Sequence, residues 1–233
     1  MKSRNEQIAI ISLPSSGSTW FAKQLIEATG LTPPPDDNYE FFQPLRTQRH
    51  ELELSKCFGL EIPSLYRNVA IPSDDQPKIH EVYNATWGQE NFSICKEVWS
   101  FAKVAFFNQY FRTVCLTRSP DETFPPNRLR VYGWYDAIYR AYVDLRGQMT
   151  EPTGLRHIEG RARIGHAFAT VAMLGDAQVL KVPVIQYSVL MNGNRKQVYN
   201  ELNVFWLNTD IDVEKLTDKI MSTREQIKRP TKV

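Results

Sequence analysis

The chain has 233 residues, 42% of them hydrophobic and 23% charged, with a formal net charge of +2. That length suits a single domain with a full core, and so balanced a charge argues against a general nucleic-acid-binding surface. Three cysteines (Cys57, Cys95, Cys115) are too few and too scattered for a disulfide framework, and the four histidines stand apart with no zinc spacing.

The first seven residues lead directly to a strand, without a signal-peptide pattern. No apolar run approaches the roughly 20 residues that a membrane span needs. The chain therefore reads as cytoplasmic, with no membrane partner. Residues 8–13, Ile-Ala-Ile-Ile-Ser-Leu, form an apolar run rich in β-branched side chains, which predicts a strand buried on both faces of a parallel sheet. Residues 14–17, Pro-Ser-Ser-Gly, break it. Ser18 or Thr19 is placed to cap a helix over 20–29 that stops at Gly30. Strand, small-residue loop and helix together collect backbone N–H groups and a positive dipole end, the geometry that holds a phosphate. The same pattern also occurs as an ordinary α/β turn. It is not a Walker A loop, because no Gly stands five residues before Gly17 and no Lys follows it.

Prolines 33–35 mark a loop, and residues 39–89 show no strong periodicity beyond a short helix near 47–56. Such an insert, about 32–90, either shapes an acceptor pocket or decorates the packing. Order returns with a strand at 92–96, a helix over 101–109 and a second buried strand at 112–117 that closes on Arg118. Apolar residues at three- and four-residue steps predict helices over 127–146 and 158–174. Residues 178–187 read as a strand, with Pro183 at an edge or irregular position. Helices over 194–202 and 213–228 follow, the latter capped by Asp212.

Strands separated by helices predict a single α/β domain of three layers, α/β/α, with helices on both faces of a central parallel sheet. Ligands of such sheets gather at the carboxyl ends of the strands. The loop 15–20, the pair Lys96-Glu97 and Arg118 should therefore meet. A guanidinium directly after a buried strand suits bidentate phosphate binding, and it suits a salt bridge to Asp121 or Glu122 equally. Trp134, Tyr135, Tyr139 and Tyr142 form a stripe that fits core packing better than stacking on a ligand ring. Cys95 and Cys115 sit in apolar runs as small buried thiols.

The residues of the loop say more than its pattern. Leu13-Pro14-Ser15-Ser16-Gly17-Ser18-Thr19-Trp20 resembles the 5′-phosphosulfate loop of the sulfotransferases, Pro-Lys-Ser-Gly-Thr-Thr-Trp, with Ser15 standing where that family has Lys or Arg. The run from Val114 to Glu122 resembles the family's second motif, an apolar strand followed by Arg, a turn Pro and Asp. The stretch Val184 to Leu190 resembles its strand ending in Tyr-Glu-Asp-Leu.

The resemblance implies a P-loop-like sulfotransferase using 3′-phosphoadenosine 5′-phosphosulfate (PAPS) and releasing adenosine 3′,5′-bisphosphate (PAP), with no metal. The acceptor implied is a hydroxyl or amine of a small molecule or carbohydrate. Ser15, Ser16, Gly17, Ser18, Thr19 and Trp20 would hold the 5′ side and Arg118 the 3′-phosphate. The family's partner Ser falls at Pro126 here, which leaves Thr123, Asn127 or Arg128 as substitutes. Lys96 matches a Lys at the end of the family's next strand, but the base His of that segment is Val98. Lys96 is then the cation for the sulfuryl group. Glu97 is either the base or a salt-bridged strand-end residue. The family's late Arg-Lys-Gly loop is not recognisable; Arg224, Lys228 or Arg229 could stand in, or simply belong to a solvated charged terminus. Two rivals remain: a P-loop phosphotransferase dependent on magnesium, and a nucleotide-binding protein without catalysis.

Overall fold

Side-chain alternation along β1 (Ile8–Ser12) sets the layers. The strand is buried from end to end. Ile8 and Ile10 pack with Ile94, Val114 and Leu116 on one face, while Ala9 and Ile11 pack with Cys95 and Cys115 on the other. This is the period of two that an extended chain imposes. The computed structural model describes residues 7–34, 39, 92–98, 104–124, 129–142, 155–206 and 211–228. Most of the insert expected over 32–90, the segment holding Pro126, Asn127 and Arg128, and Cys57 lie outside them.

Three more strands join β1: β2 (Ile94–Glu97), β3 (Arg112–Thr117) and β4 (Val184–Gln186). All pairs are parallel and the order is β2-β1-β3-β4. The helices are α1 (Ser18–Thr29), α2 (Val104–Tyr110), the single turn α3 (Pro120–Thr123), α4 (Leu129–Tyr142), α5 (Leu155–Leu180), α6 (Tyr187–Asn192), α7 (Arg195–Trp206) and α8 (Val213–Lys228). Phe21 and Leu25 of α1 share one face of the sheet with Leu190, Val198, Leu202, Leu216 and Ile220 of α6 to α8. Residues of α2, α4 and α5, among them Phe107, Tyr135, Ala169 and Met173, cover the other. The three-layer α/β arrangement is therefore present among the described residues. Each fully buried Ile of β1 contributes about 1.5–3 kcal/mol of hydrophobic stabilisation.

The path of the chain locates the site. From β1 the chain moves one way to β2, with α1 on one face. From β3 it moves the opposite way to β4, with α4 and α5 on the other face. Opposite directions on opposite faces keep one crossover hand. The direction reverses between β1 and β3, and the crevice at such a switch point is where parallel α/β sheets bind ligands.

Two expectations change. Of the strand expected over 178–187 only Val184–Gln186 is extended, because α5 runs on to Leu180 and α6 begins at Tyr187. Ala169, Met173 and Ala177 hold the helical period on the core side, and it prevails over the β-branched composition of the segment. Left-handed Lys181 (φ 55°) then ends the helix. Pro183 precedes the edge strand, where its missing N–H costs nothing and its carbonyl accepts from the Cys115 N–H at 2.9 Å. Arg224 is not part of a solvated terminus. It is buried and donates to the carbonyls of Leu190 (3.2 Å) and Gly193 (2.6 Å), pinning α8 to the end of α6. The Asp212 cap is as expected, its Oδ1 accepting from the Lys215 N–H at 3.0 Å.

Candidate phosphate-binding site

The loop after β1 turns on two left-handed residues. Gly17 has φ 88° and Ser15 has φ 63°. Only Gly adopts the first without strain, and Ser15 bears a cost of about 1 kcal/mol or more. Gly17 is required for a second reason. A Cβ there would lie 2.1 Å from the Tyr187 ring. Gly17, rather than Ser18 or Thr19, is the residue that caps α1, and no side chain accepts at that end. The Phe21 N–H closes the first turn on the Gly17 carbonyl at 3.0 Å, leaving the N–H groups of Ser18, Thr19 and Trp20 with no acceptor inside the helix.

Helix α1 is itself held from behind. Lys219 of α8 pairs with Glu27 at 2.6 Å, and Thr223 donates to Gln24 at 2.8 Å. The Lys219 ammonium holds the Glu27 carboxyl below its usual range. From the other face, the Tyr135 hydroxyl donates to the Pro14 carbonyl at 2.7 Å. Tyr135 can approach because α5 crosses α4 at Gly165, where a Cβ would stand 2.1 Å from the Tyr135 carbonyl. Burial pushes the phenol pKa of Tyr135 up, against the pull of Arg118, so it remains a donor.

Arg118 comes to this loop, as the sheet order requires. Its Nη1 donates to the Ser15 carbonyl at 2.9 Å, and its guanidinium stacks 4.6 Å from the centre of the Tyr187 ring. Tyr187 in turn meets Trp20 edge to face at 5.9 Å. The alternative salt bridges are otherwise engaged. Asp121 pairs with Arg163 at 3.5 Å, and Glu122 accepts from Ser119 at 3.1 Å. Among the described residues no carboxylate pairs with Arg118. Ser119 caps α3, with Pro120 at the first helical position.

The decisive feature is where the unsatisfied polar atoms lie. Five buried side-chain polar atoms have no hydrogen-bond partner among the described residues. Four of them are Ser12 Oγ, Ser16 Oγ, Trp20 Nε1 and Arg118 Nε. Each such atom costs about 1–3 kcal/mol unless something bonds to it. Ser12 ends β1, Ser16 is in the turn, Trp20 lies in the first turn of α1 and Arg118 follows β3, so all four border one strand-to-helix junction, and such donors suit an anion chemically.

The second half of the expected site is different. Lys96 and Glu97 lie at the carboxyl end of β2, in register with Ile10 and Ile11, and are 2% and 1% exposed. The Lys96 N–H donates to the Tyr39 carbonyl at 2.7 Å, and a Glu97 oxygen accepts from the Val98 N–H at 3.1 Å. Val98 is buried. Asn127 lies outside the described residues. Burial pushes the Cys95 thiol well up and Cys115 to about 12, so neither is a nucleophile.

Two residues of the site carried too little weight in the sequence. Tyr187 follows an apolar strand directly, the same signal that marked Arg118. Tyr135 is both core and loop support, which a helical stripe alone does not reveal. No protein-family model matches this chain, and no curated protein matches it either.

Proposed function

We propose that this chain is a PAPS-dependent sulfotransferase of divergent sequence. The observation that carries the reading is the clustering of Ser12 Oγ, Ser16 Oγ, Trp20 Nε1 and Arg118 Nε around a left-handed loop at the sheet's switch point. This donor set suits a doubly anionic nucleotide. The sequence of the loop, Pro-Ser-Ser-Gly-Ser-Thr-Trp, favours PAPS over ATP, since the Walker Lys is missing.

PAPS, when bound, supplies an activated sulfuryl group for transfer to a hydroxyl or amine. The backbone N–H groups of Ser18, Thr19 and Trp20, with the Ser16 hydroxyl, bind the 5′ side. Arg118 binds the 3′-phosphate through the guanidinium nitrogens that do not hold Ser15. Lys96 supplies the positive charge that Ser15 cannot, and Glu97 takes the acceptor's proton. The test is calorimetric titration with PAP, AMP and ATP on wild type and Arg118→Ala. PAP should bind more tightly than AMP, and the difference, roughly 10–100-fold, should vanish in Arg118→Ala. Equal binding of PAP and AMP, or preference for ATP with magnesium, overturns the proposal.

A second reading is favoured by the burial of Glu97 and Val98: a PAP-binding protein without turnover. It is distinguished by PAP binding that needs Arg118 together with no transfer across hydroxyl and amine acceptors.

A further inference from the structure

Arg118 and Tyr187 are neighbours by register. Thr117 of β3 pairs with Gln186 of β4 in a parallel ladder, so the next residue is Arg118 on one strand and Tyr187 on the other. The end of β4 is held in place. The Thr117 hydroxyl donates to the Ile185 carbonyl at 3.4 Å, and the Gln186 N–H donates to Glu201 at 2.7 Å. Tyr187 opens α6, whose far end Arg224 pins. The Tyr187 ring is seated from two sides, edge to face with Trp20 and so close to Gly17 that no side chain fits there.

A guanidinium carries its five N–H groups in one plane and grips a phosphate along an edge, so its orientation counts as much as its charge. In Arg118 the Nη1 group is taken by the Ser15 carbonyl at 2.9 Å. The adjoining edge, Nε with Nη2, has no hydrogen bond to a described residue, and Nε is buried. One hydrogen bond leaves a guanidinium free to swing about it. The Tyr187 ring, with its centre 4.6 Å from Cζ, obstructs that swing and attracts the cation. A lysine could not be held in this way, because its ammonium has neither a flat face nor a second edge.

We infer that Tyr187 is a positioning residue that holds the Arg118 guanidinium with its Nε–Nη2 edge towards the anion. The inference rests on the proposed function and adds to it which edge meets the 3′-phosphate and what aims that edge. Tyr187 acts through Arg118. A guanidinium already oriented before the phosphate arrives spares the binding step the cost of ordering it.

The experiment is calorimetric measurement of the ratio of PAP to AMP affinity in wild type, Tyr187→Leu, Tyr187→Phe and Arg118→Lys, with dichroism and Tm recorded for each. AMP lacks only the 3′-phosphate, so a general loosening of the loop weakens both ligands and leaves the ratio alone. Tyr187→Leu should lower the ratio roughly three- to tenfold, the range of an attraction between a cation and an aromatic face. Tyr187→Phe keeps the face and should keep the ratio within about twofold of wild type. Arg118→Lys keeps the charge and should lose the ratio as fully as Arg118→Ala, which tests orientation whether or not Tyr187→Leu folds. A wild-type ratio in Tyr187→Leu, an equal fall in Tyr187→Phe, or discrimination retained in Arg118→Lys overturns the inference. A wild type that binds PAP and AMP alike overturns the proposed function and this inference with it. Discrimination that needs Arg118 and ignores Tyr187 overturns the inference alone.

Discussion

The carboxyl ends of β1 and β2 lie side by side in the sheet, and they are built on opposite principles. After β1 the backbone is in left-handed conformations at Ser15 and Gly17, and buried polar atoms on Ser12, Ser16 and Trp20 have no described partner. At the end of β2 the ladder is regular, Lys96 and Glu97 are almost wholly buried, and Val98 fills the place where the resembled family has its base. Folding alone does not explain the first region, since strain and unsatisfied donors both oppose it. The second region is consistent with folding alone. The end of β1 thus leaves buried polar atoms without a described partner, while the end of β2 is packed within the sheet.

The sharpest way to break this contrast is at Lys96. Lys96→Met keeps the length and removes the charge. If Lys96 serves transfer, turnover should fall at least about a thousandfold while PAP affinity stays within roughly twofold. Preserved turnover would make it a structural lysine. Gly17→Ala attacks the other half. The φ of 88° and the 2.1 Å approach to Tyr187 should together cost roughly 2–3 kcal/mol in chemical denaturation and abolish measurable PAP binding. Adding Tyr187→Ala removes the clash and leaves the backbone strain, so the double variant should regain part of the stability. No recovery would mean that φ alone imposes Gly17.

The same contrast governs what was legible beforehand. Strands β1, β2 and β3 follow from short apolar runs, and the meeting of Arg118 with the loop follows from strand-end logic applied to them. The β4 region misleads because Val179, Val182 and Val184 read as strand, while the deciding fact, helical burial of Ala169, Met173 and Ala177, depends on which neighbour is packed below. Gly17 shows the other limit. Its place in a turn is visible from the sequence, but its contact with Tyr187, 170 positions away, arises only when β4 is laid beside β3. Lys96 and Glu97 look solvent-facing as residues and are buried by the sheet around them.

A smaller effect separates the two halves by pH. His166 of α5 is buried against Phe124 and Tyr135, and desolvation, aided by the Arg163 charge, lowers its pKa to about 4. The folded value lies below the unfolded value of about 6.5, so the fold favours the neutral ring. Stability is fully present above pH 6.5 and falls as pH drops toward 4, by at most roughly 3 kcal/mol. Because His166 packs under Tyr135, which holds Pro14, the loop side should loosen first. Hydrogen exchange of the α4 and α5 amides should rise between pH 6.5 and 4 ahead of β2, and His166→Phe should remove the difference. Simultaneous loosening of β2 and the loop would break the link.

The finest distinction is whether the loop depends on its support or holds itself. Tyr135→Phe removes one hydroxyl and with it the 2.7 Å bond to the Pro14 carbonyl. The buried carbonyl loses its partner, at a cost of about 1 kcal/mol, or a fall of roughly 2–4 °C in Tm. Tyr132→Phe is the matched control. Its hydroxyl bonds the Phe124 carbonyl at 3.3 Å, on the same helix but away from the loop. Both variants lose one donor, so stability alone does not tell them apart. PAP affinity does. If Tyr135 positions the loop, its variant should bind PAP roughly threefold more weakly, while Tyr132→Phe binds as wild type. Equal affinity in both would mean that the left-handed turn and the Arg118 bond to Ser15 suffice to hold the loop. Support from α4 would then stabilise the fold without shaping the site.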